Sequence, residues 1–120
     1  MRPLTPNEEN MRREMNESLQ QQFVHSDTIE GIHIPFRELM ITLHRGRDEA
    51  LLIRIEGSSW EQLEWLEGLT AVLHRDPDSQ NMPTCGTSEL RADDSRIGYY
   101  GYFHTVEPEW GNCVVQIYNR

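Results

Sequence analysis

The chain contains no lysine, so all of its eleven basic residues are arginines. It has only two cysteines, Cys85 and Cys113, which are too few for a disulfide framework and predict free thiols. No run of about 18 apolar residues occurs, which argues against a membrane-spanning helix. Because the N-terminal stretch MRPLTPNEEN also lacks the apolar core of a secretory signal, we expect a cytoplasmic protein.

Recognisable catalytic motifs are absent as well. The sequence has no glycine-rich phosphate-binding loop and no GxSxG nucleophile motif. Its five histidines are scattered, and neither cysteine has a companion at the spacing typical of zinc ligands. The sequence therefore predicts no catalytic residue, no metal site and no cofactor.

What the chain has in surplus is negative charge, since twenty acidic residues against eleven arginines give a formal net charge of −9. Nucleic-acid binding requires cations that displace counterions from phosphates, so direct nucleic-acid binding is disfavoured. An acidic surface instead favours a protein partner with a basic surface. With 120 residues, the chain is expected to form a single domain over 1–120, in which 1–4 are loose and 77–95 form an irregular loop.

The stretch from Ser58 to Asp76 has the spacing of an amphipathic helix. Its start has the spacing of a capping box, and Pro77 would end it. One side of the predicted helix is acidic and carries Glu61, Glu64 and Glu67. The other side is apolar and carries Trp65, Leu66, Leu69, Val72 and Leu73. We therefore predict a central helix whose apolar side packs on the core and whose acidic side is solvated or binds a basic partner.

A second helix is predicted near the N-terminus. Thr5 has the features of a helix cap, because Pro6 follows at the first helical position and Glu8 at the third. The helix should extend to about Gln22, with a narrow apolar stripe formed by Met11, Met15 and Leu19 and followed by Phe23. Such a stripe must dock either on the chain's own sheet or on a second copy, so a homodimer is left open.

The remaining pattern is typical of strands. Residues 39–43 and 51–55 alternate around a short glycine-containing turn at 45–48, which predicts an antiparallel hairpin. Ile32 leads into it, and Pro35 places that segment at a sheet edge. Residues 97–104 and 113–118 predict a second hairpin. The predicted fold is thus α+β, an antiparallel sheet of four or five strands in the order helix, hairpin, helix, hairpin, with the helices packed on one face.

Candidate partner-binding residues come from two features of the sequence. Carboxylates could face a partner's basic side chains, and exposed aromatic rings are favoured at binding hot spots. The tyrosines have an alternative interpretation, in which they cover the sheet beneath the N-terminal helix. The candidates are Glu61, Glu64, Glu67, Asp76, Asp78, Asp93, Asp94, Tyr100, Tyr102 and Trp110.

In composition the chain resembles small inhibitory or immunity proteins, including viral, phage-encoded anti-defence proteins. That resemblance covers size, acidity and the lack of catalytic motifs, and it implies a non-enzymatic inhibitor that occludes a basic surface of a protein partner, one that could normally bind nucleic acid. Two alternatives remain open. One is a small-molecule-binding or enzymatic domain with a pocket between sheet and helix, lined by Tyr99, Tyr102 or His104. The other is a scaffold that self-associates through the N-terminal helix.

Overall fold

The computed structural model describes residues 3–22, 24–25, 31–45, 50–75 and 81–120. These residues form one α-helix and two antiparallel sheets. None of the described helical segments is both long and apolar enough to cross a membrane. The elements are α1 (Pro6–Gln20), β1 (Val24–His25), β2 (Ile32–Phe36), β3 (Leu39–Arg45), β4 (Leu51–Glu56), β5 (Thr70–Arg75), β6 (Thr84–Glu89), β7 (Arg91–Ala92), β8 (Gly98–Phe103) and β9 (Asn112–Tyr118).

Helix α1 begins with the predicted capping box. The Thr5 hydroxyl accepts a hydrogen bond from the Glu8 amide at 3.1 Å, and the Glu8 carboxylate accepts one from the Thr5 amide at 3.0 Å. Met15 and Leu19 are completely buried, and the helix packs against β9 and β2. The chain's own strands therefore cover Met15 and Leu19 of the apolar stripe. Phe23 lies outside the described residues.

Polar side chains of α1 also bind the backbone of β9. Asn16 donates from Nδ2 to the Ile117 carbonyl oxygen at 2.8 Å and accepts from the Ile117 amide at Oδ1 at 2.7 Å. Arg12 donates a second hydrogen bond to the same carbonyl oxygen at 2.8 Å. Asn16 thus satisfies both backbone groups of Ile117, as a neighbouring strand would.

The five-stranded sheet has the order β2-β3-β4-β8-β7. The predicted hairpin of residues 39–43 and 51–55 is confirmed by β3 and β4, where Leu43 lies opposite Ile53. Strand β2 lies at the edge of this sheet and contains Pro35, as expected. Most of the predicted turn at 45–48 lies outside the described residues.

The second sheet has the order β1-β9-β5-β6, and β1 contributes only two residues. Strand β9 pairs with β5, so that Leu73 lies opposite Val115. The prediction of a hairpin between β8 and β9 is therefore wrong. Burial explains why β9 pairs elsewhere. Cys113 to Ile117 are buried on both faces of the strand, so they require a central position in a sheet.

The predicted central helix over 58–76 is also wrong. Trp60–Gln62 and Glu64–Leu66 form two short 3-10 turns, and the apolar run that follows is strand β5. Gly68 separates them with a φ of 81°, a left-handed conformation that ends a helix. Without the central helix, the predicted order of helix, hairpin, helix and hairpin is also wrong. In the described part of the chain, no second α-helix lies on a sheet face.

Strands also occupy part of the predicted irregular loop 77–95. Strand β6 belongs to the four-stranded sheet and β7 to the five-stranded sheet, so the chain changes sheets at the buried Leu90. The Leu90 amide donates a hydrogen bond to the Leu69 carbonyl oxygen at 2.9 Å. The two sheets share one apolar core. They approach so closely that a Cβ added to Gly101 of β8 would lie 3.4 Å from Cβ of Ala71 in the other sheet.

Candidate functional site

The predicted partner-binding residues do not form a single patch. Asp76 and Asp78 lie outside the described residues. Trp110 lies in a 3-10 turn (Pro108–Trp110), where it is half-buried and packs against the core. The other candidates divide between two surfaces, one on the turns that precede β5 and one on the outer face of the five-stranded sheet.

The first surface is formed by the 3-10 turns between β4 and β5. Glu61, Glu64 and Glu67 are all exposed there. They lie in the first turn, in the second turn and directly after it, so the three glutamates are exposed on one short segment although the predicted α-helix does not form. The Glu67 carboxylate accepts a hydrogen bond from the Tyr99 hydroxyl at 2.8 Å. Within the described residues, the carboxylates of Glu61 and Glu64 form no hydrogen bond and no ion pair.

Trp60 completes this surface and was missed by the sequence analysis. Its side chain is 39% exposed, and its ring packs edge-on against Tyr99 with centroids 5.9 Å apart. Trp60 directly precedes the three glutamates in the sequence, and this position could have indicated that it belongs to the same surface. It was missed because the predicted helix assigned Trp60 to neither its acidic nor its apolar side. We call Trp60, Glu61, Glu64 and Glu67 the acidic turn surface.

The acidic turn surface stands on a rigid base. Leu63 and Leu66 are completely buried, and Trp65 is 6% exposed. The Trp65 indole also donates to the Gln62 carbonyl oxygen at 3.0 Å. Because these residues fix the two turns against the core, the backbone that carries the exposed side chains is held in place before any partner binds.

The second surface is the outer face of the five-stranded sheet. Tyr100 is half-buried and Tyr102 is 39% exposed, and the Tyr102 ring packs edge-on against His104 at 4.9 Å. Helix α1 packs against β9 and β2, so the interpretation that these tyrosines lie beneath the N-terminal helix is wrong. They contribute to an open groove of about 510 Å³, which we call the outer groove. It is lined by Thr87, Ser88, Glu89, Arg91, Tyr100, Tyr102 and His104.

Asp93 and Asp94 lie beside Tyr100 in an adjoining hollow. Asp93 accepts hydrogen bonds from the backbone amide and hydroxyl of Ser95 at 2.9 and 2.8 Å, and these bonds lower the pKa of Asp93. Its carboxylate also lies 3.6 Å from the Nε of Arg54. The charge of Asp93 is therefore balanced within the chain, which makes it a poor contact for a basic partner.

Acids and arginines alternate on other surfaces too. On α1, Arg12 donates to Glu9 at 3.0 Å, and this hydrogen bond lowers the pKa of Glu9. Arg37 reaches Glu14 from the β2–β3 turn at 2.6 Å. Within the described residues, these acids are thus paired with arginines, whereas Glu61 and Glu64 are exposed carboxylates on the same short segment as the exposed Trp60.

The side chains predicted to line a pocket between sheet and helix do not lie together. Tyr99 is 5% exposed and points into the core, whereas Tyr102 and His104 lie on the outer face, so the three side chains cannot line one pocket. Among the described residues, no group of three or more His, Cys, Asp or Glu side chains could hold a metal ion.

Comparison of the chain with protein-family models, with curated proteins and with solved structures gives no match in any of the three.

Proposed function

We propose that this chain is a non-enzymatic binding protein that occludes a basic surface of a protein partner through the acidic turn surface. The observation that carries this proposal is the exposure of the Glu61 and Glu64 carboxylates, which have no ion pair among the described residues, on the same short segment as the exposed Trp60. A guanidinium or ammonium group of a partner could pair with these carboxylates and stack on the indole.

The overall charge supports the same mode of action. A net charge of −9 attracts a basic partner over several ångströms and speeds association, whereas the local contacts determine how long the complex lasts. If the partner normally binds nucleic acid, the carboxylates would occupy positions that phosphates otherwise take. Inhibition of an immunity or anti-defence type would then result from simple competition for that basic surface.

The test is affinity capture from the native host with matched bait proteins. The variant Glu61→Gln/Glu64→Gln removes two charges from the acidic turn surface. The control Glu17→Gln/Glu109→Gln removes the same charge from exposed positions elsewhere, one of them in another 3-10 turn beside a tryptophan. We expect a partner that the wild type and the control retain and the test variant loses.

The purified partner then gives a quantitative answer. Its affinity should fall by about tenfold or more in the test variant, as for the loss of two charge-assisted contacts, and by less than about threefold in the control. Affinity should also decrease between about 50 mM and about 500 mM salt, because salt screens exposed charges. Equal losses in both variants, or no dependence on salt, would contradict the proposal.

A further inference from the structure

The outer groove lies where the chain passes from one sheet to the other. Strand β6 ends at Glu89, and β7 begins at Arg91 in the other sheet. The Ser88 hydroxyl accepts a hydrogen bond from the Tyr102 amide at 2.9 Å, which fixes the end of β6 against the edge of β8. The lining of the groove is therefore held by both sheets, and it is formed by residues other than those of the acidic turn surface.

The chemistry of this lining is mixed and balanced. Tyr100 and Tyr102 contribute aromatic rings, and Thr87 and Ser88 contribute hydroxyl groups. Arg91 and Glu89 carry opposite charges, and within the described residues neither side chain has an ion-pair partner. The groove thus offers both hydrogen-bond donors and acceptors beside apolar ring surfaces, without a net charge from its arginine and glutamate.

We propose that the outer groove binds a neutral oligosaccharide. A sugar ring has an apolar face of C–H groups, which can pack on a tyrosine ring, and a rim of hydroxyls, which a guanidinium and a carboxylate can bridge. An anionic ligand would meet Glu89 and the negative field of the whole chain, and a cationic ligand would meet Arg91. At about 510 Å³ the open groove has room for a short saccharide chain to pass along the sheet.

The experiment is a titration of the full ¹⁵N-labelled chain, followed by amide chemical shifts. The neutral probes are maltohexaose, cellohexaose and chitohexaose, and the anionic comparators are a heparin hexasaccharide and AMP. We expect at least one neutral probe to shift the amides of Ser88, Arg91, Tyr100 and Tyr102, with a dissociation constant below about 10 mM. No shift with any neutral probe, or tighter binding of an anionic comparator in the groove, would overturn the proposal.

Two substitutions of equally exposed aromatic residues test the location. Tyr102 and Trp60 are each 39% exposed, on different surfaces. Tyr102→Ala should weaken saccharide binding by about tenfold or more, and Trp60→Ala should leave it unchanged. If Tyr102→Ala does not fold, Glu89→Gln/Arg91→Gln replaces it and carries the same expectation. Binding that both groove variants retain would overturn the assignment. Because the acidic turn surface is tested with other residues and another ligand, either proposal can fail alone.

Discussion

His74 is a buried histidine on β5 with only one of its ring nitrogens hydrogen-bonded. The side chain is 6% exposed, and Nε2 lies 3.1 Å from the hydroxyl of Tyr118. Nδ1 has no hydrogen-bond partner among the described residues. Burial lowers the pKa of His74 and outweighs the nearby backbone groups of Met82 and Pro83, which favour the protonated ring. The positive charge of Arg120, which lies over the Tyr118 ring, adds to the lowering. The folded chain therefore keeps His74 neutral at a pH where an exposed histidine would be protonated.

Acidification should consequently destabilise the protein through His74. The unfolded chain takes up a proton at the ordinary histidine pKa, whereas the folded chain does so only at lower pH. Stability that is fully present above the ordinary pKa is therefore lost as the pH falls toward the folded pKa. Urea unfolding at about pH 7.5, 6.5 and 5.5 should give a shallower pH dependence for His74→Gln than for the wild type. The exposed His104, changed to Gln, is the control for the loss of an imidazole from the surface.

Single residues show which features of the site strand alternation alone dictates. The exposure of Tyr102 and the burial of Tyr99 follow from strand alternation, because neighbouring residues of a strand face opposite sides. The groove around Tyr102 could not be predicted in the same way. It depends on Ser88 and Arg91, which the change of sheets at Leu90 brings beside β8.

At the level of elements, the segment from Ser58 to Arg75 shows why apolar spacing can mislead. Residues Leu69 to Leu73 form a continuous apolar or weakly polar run, which fits a buried helix face and a fully buried strand equally well. The β-branched Thr70 and Val72 and the glycine at position 68 favour the strand. The hairpin of β3 and β4 was predictable because one of its faces is buried and the other is not, so its alternation has only one interpretation.

Gly68 provides a direct test of this segment. Its φ of 81° is strained for any residue with a side chain, so Gly68→Ala should destabilise the protein by about 1 kcal/mol or more. If residues 58–76 were helical, the same change would stabilise the protein by about 1 kcal/mol. The sign of the change in unfolding free energy, measured by urea unfolding, decides between the observed structure and a helix over 58–76. Gly31→Ala is the control, since its added Cβ would make only ordinary contacts of 3.7 Å or longer.

At the scale of the whole molecule, the two sheets behave as one packed unit. One apolar cluster includes Ile53 and Ile55 of the five-stranded sheet together with Leu73 and Ile117 of the other. The close approach at Gly101 lies within this contact between the sheets. A substitution at Gly101 should therefore affect the packing of both sheets, because close-packed interiors transmit strain.

Gly101→Ala tests this coupling. The new methyl group would lie 3.0 Å from Cγ2 of Ile53 in its own sheet and 3.4 Å from Cβ of Ala71 in the other, and overpacking of this kind typically costs about 1–3 kcal/mol. Amide hydrogen exchange should show weaker protection in β4 and in β5 to a similar extent. Loss of protection confined to β4 and β8 would mean that the sheets open independently.

The bonds from Asn16 to Ile117 have a consequence for how copies of the chain behave toward one another. A strand whose amide and carbonyl groups point outward is a template on which another polypeptide can add. The N-terminal helix occupies that position on β9 with a side-chain amide that cannot be extended further. Removal of the helix would expose the two backbone groups of Ile117 for pairing with another strand, whereas in the intact fold the Asn16 side chain caps them.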